Sequence, residues 1–141
     1  MAIFGLVGAS GFAREVMPIF KKNCKGKNTS DKCVFVDVNL PTKPIEGEKV
    51  LLETEFLSIE SQEKFFNVAI AEYKIREKVV EKYLFNGCKP KSIISETTII
   101  HDRVKMGDGA ILCNFTHLLP DTKIGKFFHC NFYSCVSHDC I

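Results

Sequence analysis

Two rhythms of hydrophobic and polar residues run along this chain. From Ile94 onward an apolar or small residue returns every six positions: Ile94, Ile100, Met106, Leu112, Leu118, Ile124, Cys130, Val136. Four positions after each comes a second register: Thr98, Val104, Ala110, Thr116, Thr122, Phe128, Ser134, Cys140. Neither the 3.6-residue helix nor the two-residue strand gives a period of six. Such a repeat predicts a parallel β-helix, in which short strands stack and each turn buries one residue per face. Eight rows at three per coil make between two and three coils.

The earlier rhythm predicts strands alternating with helices. Residues 2–7 form a short apolar run that ends in Gly8-Ala9-Ser10-Gly11. Residues 12–17 read as a helix, with Pro18 in its early part, where a missing N–H is tolerated. Residues 34–37 form a second strand ending in an acid, and Pro41, Pro44 and Gly47 mark a loop. A short strand over 49–52, a short helix over 53–61 and a strand over 65–71 follow. Ile75, Val79, Val80 and Tyr83 have helical spacing, and Asn86-Gly87 is a fitting stop. Alternation of this kind implies a small parallel sheet with helices on its faces. Residues 88–92, with Pro90, read as a linker. The expected organisation is an α/β domain over 1–88 and a β-helix over 93–141. The β-helix stops at the first position of a ninth row with no capping element, although solenoids need capped ends.

Composition changes this picture little. The chain has 141 residues, 45% hydrophobic and 26% charged, which is ordinary for a globular protein. A formal net charge of +2 gives no argument for nucleic acid or an anionic membrane. The basic cluster Lys21, Lys22, Lys25 and Lys27 reads as a solvated helix end. Seven cysteines without a C-x-x-C pair fit a reduced cytoplasmic protein better than a disulfide scaffold. No signal-like N-terminus and no apolar run of membrane-spanning length is present.

Three motifs could carry chemistry. Gly8-Ala9-Ser10-Gly11 lies at a strand-to-helix turn, where glycine lets the backbone approach a ligand and free helix N–H groups attract phosphate; a packing turn would need the same glycines. Arg14, in the first helical turn, could pair with a phosphate or face solvent. Asp37, at the end of the second strand, stands where doubly wound nucleotide sites place an acid against ribose or base, or is an ordinary strand-end acid. His138, beside Asp139, could be a general base oriented by its neighbour, or a surface histidine. His117 and His129 could be surface residues or meet across a trimer seam. A metal site from His129, Cys130, His138 and Cys140 has no zinc-type spacing behind it, so no metal is expected.

Gly8-Ala9-Ser10-Gly11-Phe12-Ala13-Arg14-Glu15-Val16, the strand ending in Asp37, the strand FFNVAIA and the hexapeptides carrying Ser137-His138-Asp139-Cys140 together resemble the NeuD/PglD-like sugar acyltransferases. The resemblance implies a Rossmann-like α/β domain followed by an incomplete left-handed parallel β-helix. It implies that Gly8, Ser10, Gly11, Phe12, Arg14, Asp37 and the Ala71 region contact a nucleotide-sugar. It also implies a homotrimer with acetyl-CoA in the groove between neighbouring β-helices, His138 as general base and Asp139 orienting it. Ala71-Glu72 depart from the Gly-Asn common in relatives. Relatives also continue for several more coils. The expected activity is therefore acetyl transfer to a nucleotide-activated amino sugar, with sialic-acid-type O-acetylation as a close variant. The alternatives are a non-catalytic nucleotide-sugar-binding fragment and a structural or regulatory trimer with no small-molecule role.

Overall fold

The computed structural model describes residues 1–24 and 32–141. Of the basic cluster, Lys25 and Lys27 lie outside the described residues. The chain divides into two compact units, Met1–Pro90 and Lys91–Ile141.

The first unit is an α/β sheet. Its elements are β1 (Ala2–Val7), α1 (Gly11–Cys24), β2 (Lys32–Asp37), β3 (Val50–Leu52), α2 (Glu53–Leu57), β4 (Glu63–Val68), α3 (Tyr73–Phe85) and β5 (Lys89–Pro90). The strand order is β3-β2-β1-β4-β5, and every neighbouring pair is parallel. The central strand β1 is buried from Ile3 to Val7, as expected for a strand covered on both faces. Leu6, Phe20, Phe35, Phe56, Phe66 and Tyr83 are among the largest fully buried side chains of the core. At about 25 cal/mol per Å² of apolar surface, rings of this size dominate the burial term. Gly5 fits this packing because a Cβ there would stand 2.7 Å from the Phe56 ring.

Four expectations need correction. Pro18 lies in the middle of α1, not its early part. It faces solvent, so the carbonyl that loses its partner can bond to water and the helix continues. The helix expected over 53–61 is only Glu53–Leu57, and the strand expected over 65–71 is Glu63–Val68. The segment expected to be a linker is partly sheet. Lys89 and Pro90 pair with Phe65 and Phe66 as an edge strand, the position where a residue without an N–H is tolerated.

The second unit is a partial parallel β-helix. Its strands have two residues each: β6 (Ile93–Ile94), β7 (Ile99–Ile100), β8 (Lys105–Met106), β9 (Ile111–Leu112), β10 (His117–Leu118), β11 (Lys123–Ile124), β12 (His129–Cys130) and β13 (Cys135–Val136). They stack into three parallel sheets, β6-β9-β12, β7-β10-β13 and β8-β11. Ile93 pairs with Ile111 and Ile111 with His129, so one coil spans three hexapeptides. Ala110, Leu112, Leu118 and Cys130 form the buried core, with Ile94, Val104, Met106, Ile124, Phe128 and Val136 packed against it. Burial fades away from the middle coil: Leu118 is 0% exposed and its ladder partner Ile100 is 43% exposed. Cys140, the last residue of the second register, is exposed.

The corners between the strands carry a second period of six. Arg103, Gly109, Phe115, Asp121, Phe127, Tyr133 and Asp139 all have positive φ, between 54° and 76°. Only Gly109 is free of a Cβ penalty there.

Candidate functional site

Parallel strands bring their C-terminal ends to one edge. In this sheet β1 leads outward through β2 and β3 on one side, and β4 and β5 lie on the other. The ends of β1 and β4 therefore flank the topological switch point, where open α/β sheets bind ligands. The turn after β1 is Gly8-Ala9-Ser10. Gly8 has a φ of 106°, and its N–H donates to the Val36 carbonyl at 2.8 Å. A Cβ on Gly8 would stand 3.2 Å from the Ala69 carbonyl oxygen. Ser10 accepts the first helical bond, from the Arg14 N–H at 3.1 Å. Gly11 and Phe12 begin α1, whose first turn holds no acid to oppose an anion. Arg14 folds back toward this turn: its Nη2 lies 4.0 Å from where a Gly11 Cβ would be.

Asp37 joins this group. Its Oδ2 accepts the Ala9 N–H at 3.1 Å, and its Oδ1 faces the Asn39 N–H at 3.4 Å. A carboxylate has about four acceptor positions, so capacity for a hydroxyl donor is left. Two residues distant in sequence, Ala9 and Asp37, are thus joined at the strand ends. A cleft of about 440 Å³ opens beside them, lined by Ala9, Arg14 and residues 41–46. Lys43, in this lining, adds a second cation that the sequence reading passed over as part of a loop. The loop is anchored where Lys21 Nζ pairs with Glu48 Oε1 at 2.5 Å. Its signal in the sequence was only a proline-rich stretch, which predicts irregular backbone but not what the backbone faces.

Ala71 lies beyond the end of β4 and is exposed. Its carbonyl, with that of Ile70, accepts hydrogen bonds from Arg76 Nη1 at 2.9 and 2.8 Å. Glu72, the departure noted in the sequence, is the N-cap of α3. Its carboxylate accepts the N–H groups of Lys74 at 3.1 Å and Ile75 at 2.7 Å. Neither role was visible in the hydrophobic pattern, because each depends on where one polar side chain turns: Arg76 back to the loop before α3, Glu72 onto the first N–H groups of that helix.

In the β-helix unit, His138 Nδ1 and Asp139 Oδ2 are 2.7 Å apart, and both side chains are exposed. When Nδ1 carries the proton toward Asp139, the lone pair of Nε2 is available to accept another. Asp139 takes φ 57°, and its N–H bonds the Pro120 carbonyl at 3.3 Å, so the corner backbone fixes the acid beside the imidazole. One coil earlier, Arg103 forms a two-pronged ion pair with Asp121 at 2.6 and 2.9 Å. This pair holds the Asp121 carboxyl below the usual carboxylate range. Opposite charges one coil apart were the available signal for it. His117 lies on β10 and stacks with His101, ring centroids 6.0 Å apart, and His129 is on β12, in a different sheet. Among the described residues no group of three or more His, Cys, Asp or Glu is placed to hold a metal ion. Among them also, no helix is long and apolar enough to cross a membrane.

Residues 4–83, more than half of the chain, match the PglD N-terminal domain family. The chain is 40% identical over 141 residues to GDP-perosamine N-acetyltransferase of Escherichia coli O157:H7, covering 99% of this chain and 64% of that protein. Its fold matches WeeI from Acinetobacter baumannii AYE at a TM-score of 0.92 and 38% identity, covering 99% of this chain and 66% of that one. It also matches PerB from Caulobacter crescentus, solved in complex with CoA and GDP-perosamine, at a TM-score of 0.83 and 20% identity, covering 99% and 64%. The chain thus spans just under two thirds of the length of these relatives.

Proposed function

We propose, for a chain that belongs to the PglD N-terminal domain family, that it binds a nucleotide-activated amino sugar and carries the general base of an acetyl-CoA-dependent N-acetyltransferase. The observation that carries the reading is the His138–Asp139 pair, bonded through Nδ1 at 2.7 Å. In this mechanism Nε2 removes a proton from the acceptor amine as the nitrogen attacks the thioester carbonyl. The C–S bond then breaks, an amide is left on the sugar, and the imidazolium returns its proton to the departing CoA sulfur. Asp139 keeps Nδ1 protonated and stabilises the charged ring.

The sheet unit supplies the acceptor site in this reading. Gly8, Ser10, Gly11 and Phe12 present the turn and helix end to the diphosphate, Arg14 adds charge, Asp37 takes a ribose or base donor, and Ala71 lies at the sugar side. The named relatives support the amino-sugar class, since one is a GDP-perosamine N-acetyltransferase and another was solved with CoA and GDP-perosamine. Acetyl-CoA then lies in a groove between neighbouring β-helices of a homotrimer. Nucleotide-sugar binding without catalysis is the second reading, supported by the turn after β1 being joined to Asp37 through the Ala9 N–H at 3.1 Å.

A thermal-shift and acetyl-transfer assay with GDP-, UDP- and CMP-amino sugars, with and without acetyl-CoA, separates them. A ligand at a hundredfold excess over its Kd adds about 2.7 kcal/mol to stability. His138→Ala is expected to lower turnover about 10²- to 10⁴-fold with nucleotide binding intact. An unchanged rate removes His138 from the mechanism. Stabilisation by a nucleotide-sugar without any transfer by the wild-type chain selects the second reading.

A further inference from the structure

The loop after β4 forms one wall of the switch point, because Gly8 packs against Ala69 and Ile70 there. Such a wall is a problem for an anion site. Carbonyl oxygens that leave the end of a parallel strand without a ladder partner carry partial negative charge, and a diphosphate arriving at the Gly8–Gly11 turn would meet them. The chain answers with Arg76, one turn into α3. Its Nη1 has two hydrogens, and they go to Ile70 O at 2.8 Å and Ala71 O at 2.9 Å. The side chain gives up part of its hydration, and this burial lowers the pKa of the guanidinium. An arginine on a helix surface ordinarily keeps its head in water; this one is drawn back onto two carbonyls. The Arg76 N–H also bonds the Glu72 carbonyl at 3.0 Å, and the Glu72 carboxylate is occupied by the Lys74 and Ile75 N–H groups. The loop is therefore fixed to the first turn of α3 by both residues.

We propose that Arg76 is a positioning residue of the nucleotide site: it sets the loop 69–72 against Gly8 and covers the Ile70 and Ala71 carbonyls, so that the turn after β1 can accept a nucleoside diphosphate. The inference rests on the nucleotide-binding reading above. Arg76 does not itself touch the ligand in this arrangement. A lysine has no planar fork and reaches the carbonyls as a point charge, so it recovers part of the effect.

The test is calorimetric titration of the full chain with GDP, UDP and CDP as probes. The variants are Arg76→Ala, Arg76→Lys and, as a control on the same helix, Lys82→Ala, which removes the ion pair to Glu53. The expected result is a Kd raised about tenfold in Arg76→Ala, about 1.4 kcal/mol, with a smaller rise in Arg76→Lys and none in Lys82→Ala. A Kd in Arg76→Ala equal to that of the wild-type chain overturns the proposal and leaves the nucleotide site standing. An equal rise in Lys82→Ala overturns it too, since general loosening of α3 would then suffice. If the wild-type chain binds none of the three probes, the nucleotide reading fails first and the proposal falls with it.

Discussion

In the sheet unit every described residue with positive φ is a glycine: Gly8, Gly47 and Gly87. In the β-helix unit seven residues take such a φ and six of them are not glycine, among them Phe115, Phe127 and Tyr133. Each non-glycine case costs about 1–2 kcal/mol in an isolated chain. The difference lies in how the backbone is held. A turn between a strand and a helix is fixed once, by its own few bonds, so a Cβ penalty there is uncompensated. A β-helix corner is fixed by the coils stacked on it. Phe127 N–H bonds Asp108 O at 2.8 Å, Tyr133 N–H bonds Asn114 O at 3.2 Å, and the Phe115 and Tyr133 rings stack at 5.0 Å. Stacking over-determines the corner, and charged and aromatic residues can then occupy it.

If stacking is the source of order in the β-helix unit, the largest effects should fall on residues that have a coil on each side. Leu118→Ala removes a fully buried side chain from the middle coil and is expected to cost about 3 kcal/mol. Ile100→Ala, at the ladder partner one coil earlier, should cost less than half of that because Ile100 is 43% exposed. Urea denaturation of both variants checks this, and equal losses would break the contrast between middle and outer coils.

A second pair tests backbone against backbone. Gly107 and Gly125 occupy the same place in successive coils. A Cβ on Gly107 would meet Lys126 N at 2.8 Å and Gly125 C at 2.9 Å, whereas one on Gly125 meets nothing within 4 Å. Neither needs positive φ. Gly107→Ala should therefore destabilise by about 2 kcal/mol through overpacking, and Gly125→Ala should be close to neutral. A cost for Gly125→Ala equal to that for Gly107→Ala would mean that glycine serves conformation, not coil spacing.

These residues also show how far the sequence could be read. The six-residue spacing of Leu112, Leu118 and their counterparts is a one-dimensional signal, and it led directly to the stacked two-residue strands. The Gly8–Gly11 turn and Asp37 were legible because doubly wound sheets put such residue types at strand ends. The corner period was not legible. Its residues, Arg103, Gly109, Phe115, Asp121, Phe127, Tyr133 and Asp139, share a backbone angle and no side-chain property. The linker expected around Pro90 failed for a related reason: proline marks the edge of a sheet as well as a loop, and only the β4 pairing decides between them. The Arg76 and Glu72 contacts were hidden because they depend on where a flexible side chain turns: Arg76 back to the loop before α3, and Glu72 onto the first N–H groups of α3.

Gly8→Ala carries the comparison into the sheet unit. Here no stacked neighbour offsets the penalty, and the new Cβ would stand 3.2 Å from Ala69 O. The expected loss is about 1–2 kcal/mol, together with weaker nucleotide-sugar binding. Gly47→Ala has the φ problem, at 74°, without any atom within 4 Å. It isolates the conformational part by the same denaturation measurement.

The smallest effect concerns charge at a corner. Arg103 and Asp121 stack one coil apart with exposed side chains, and the pair lowers the Asp121 pKa and raises that of Arg103. For a carboxyl whose native pKa is below its unfolded value of about 3.9, the stabilisation is present above that value. It is lost as the pH falls through the lower, native value. Arg103 stays charged throughout this window. Asp121→Asn is the appropriate variant, since asparagine also tolerates the left-handed corner. Its urea midpoint should lie slightly below that of the wild-type chain at pH 7, and the gap should shrink in 1 M salt, where the screening length is about 3 Å. The gap should close as the pH is taken from 4 downward. No gap at pH 7 would leave the corner to the backbone bond from the residue 121 N–H to Asp102 O, 3.3 Å long, which both chains keep. The corner would then be held by stacked backbone alone, and the contrast with the sheet unit would be sharper than the ion pair suggests.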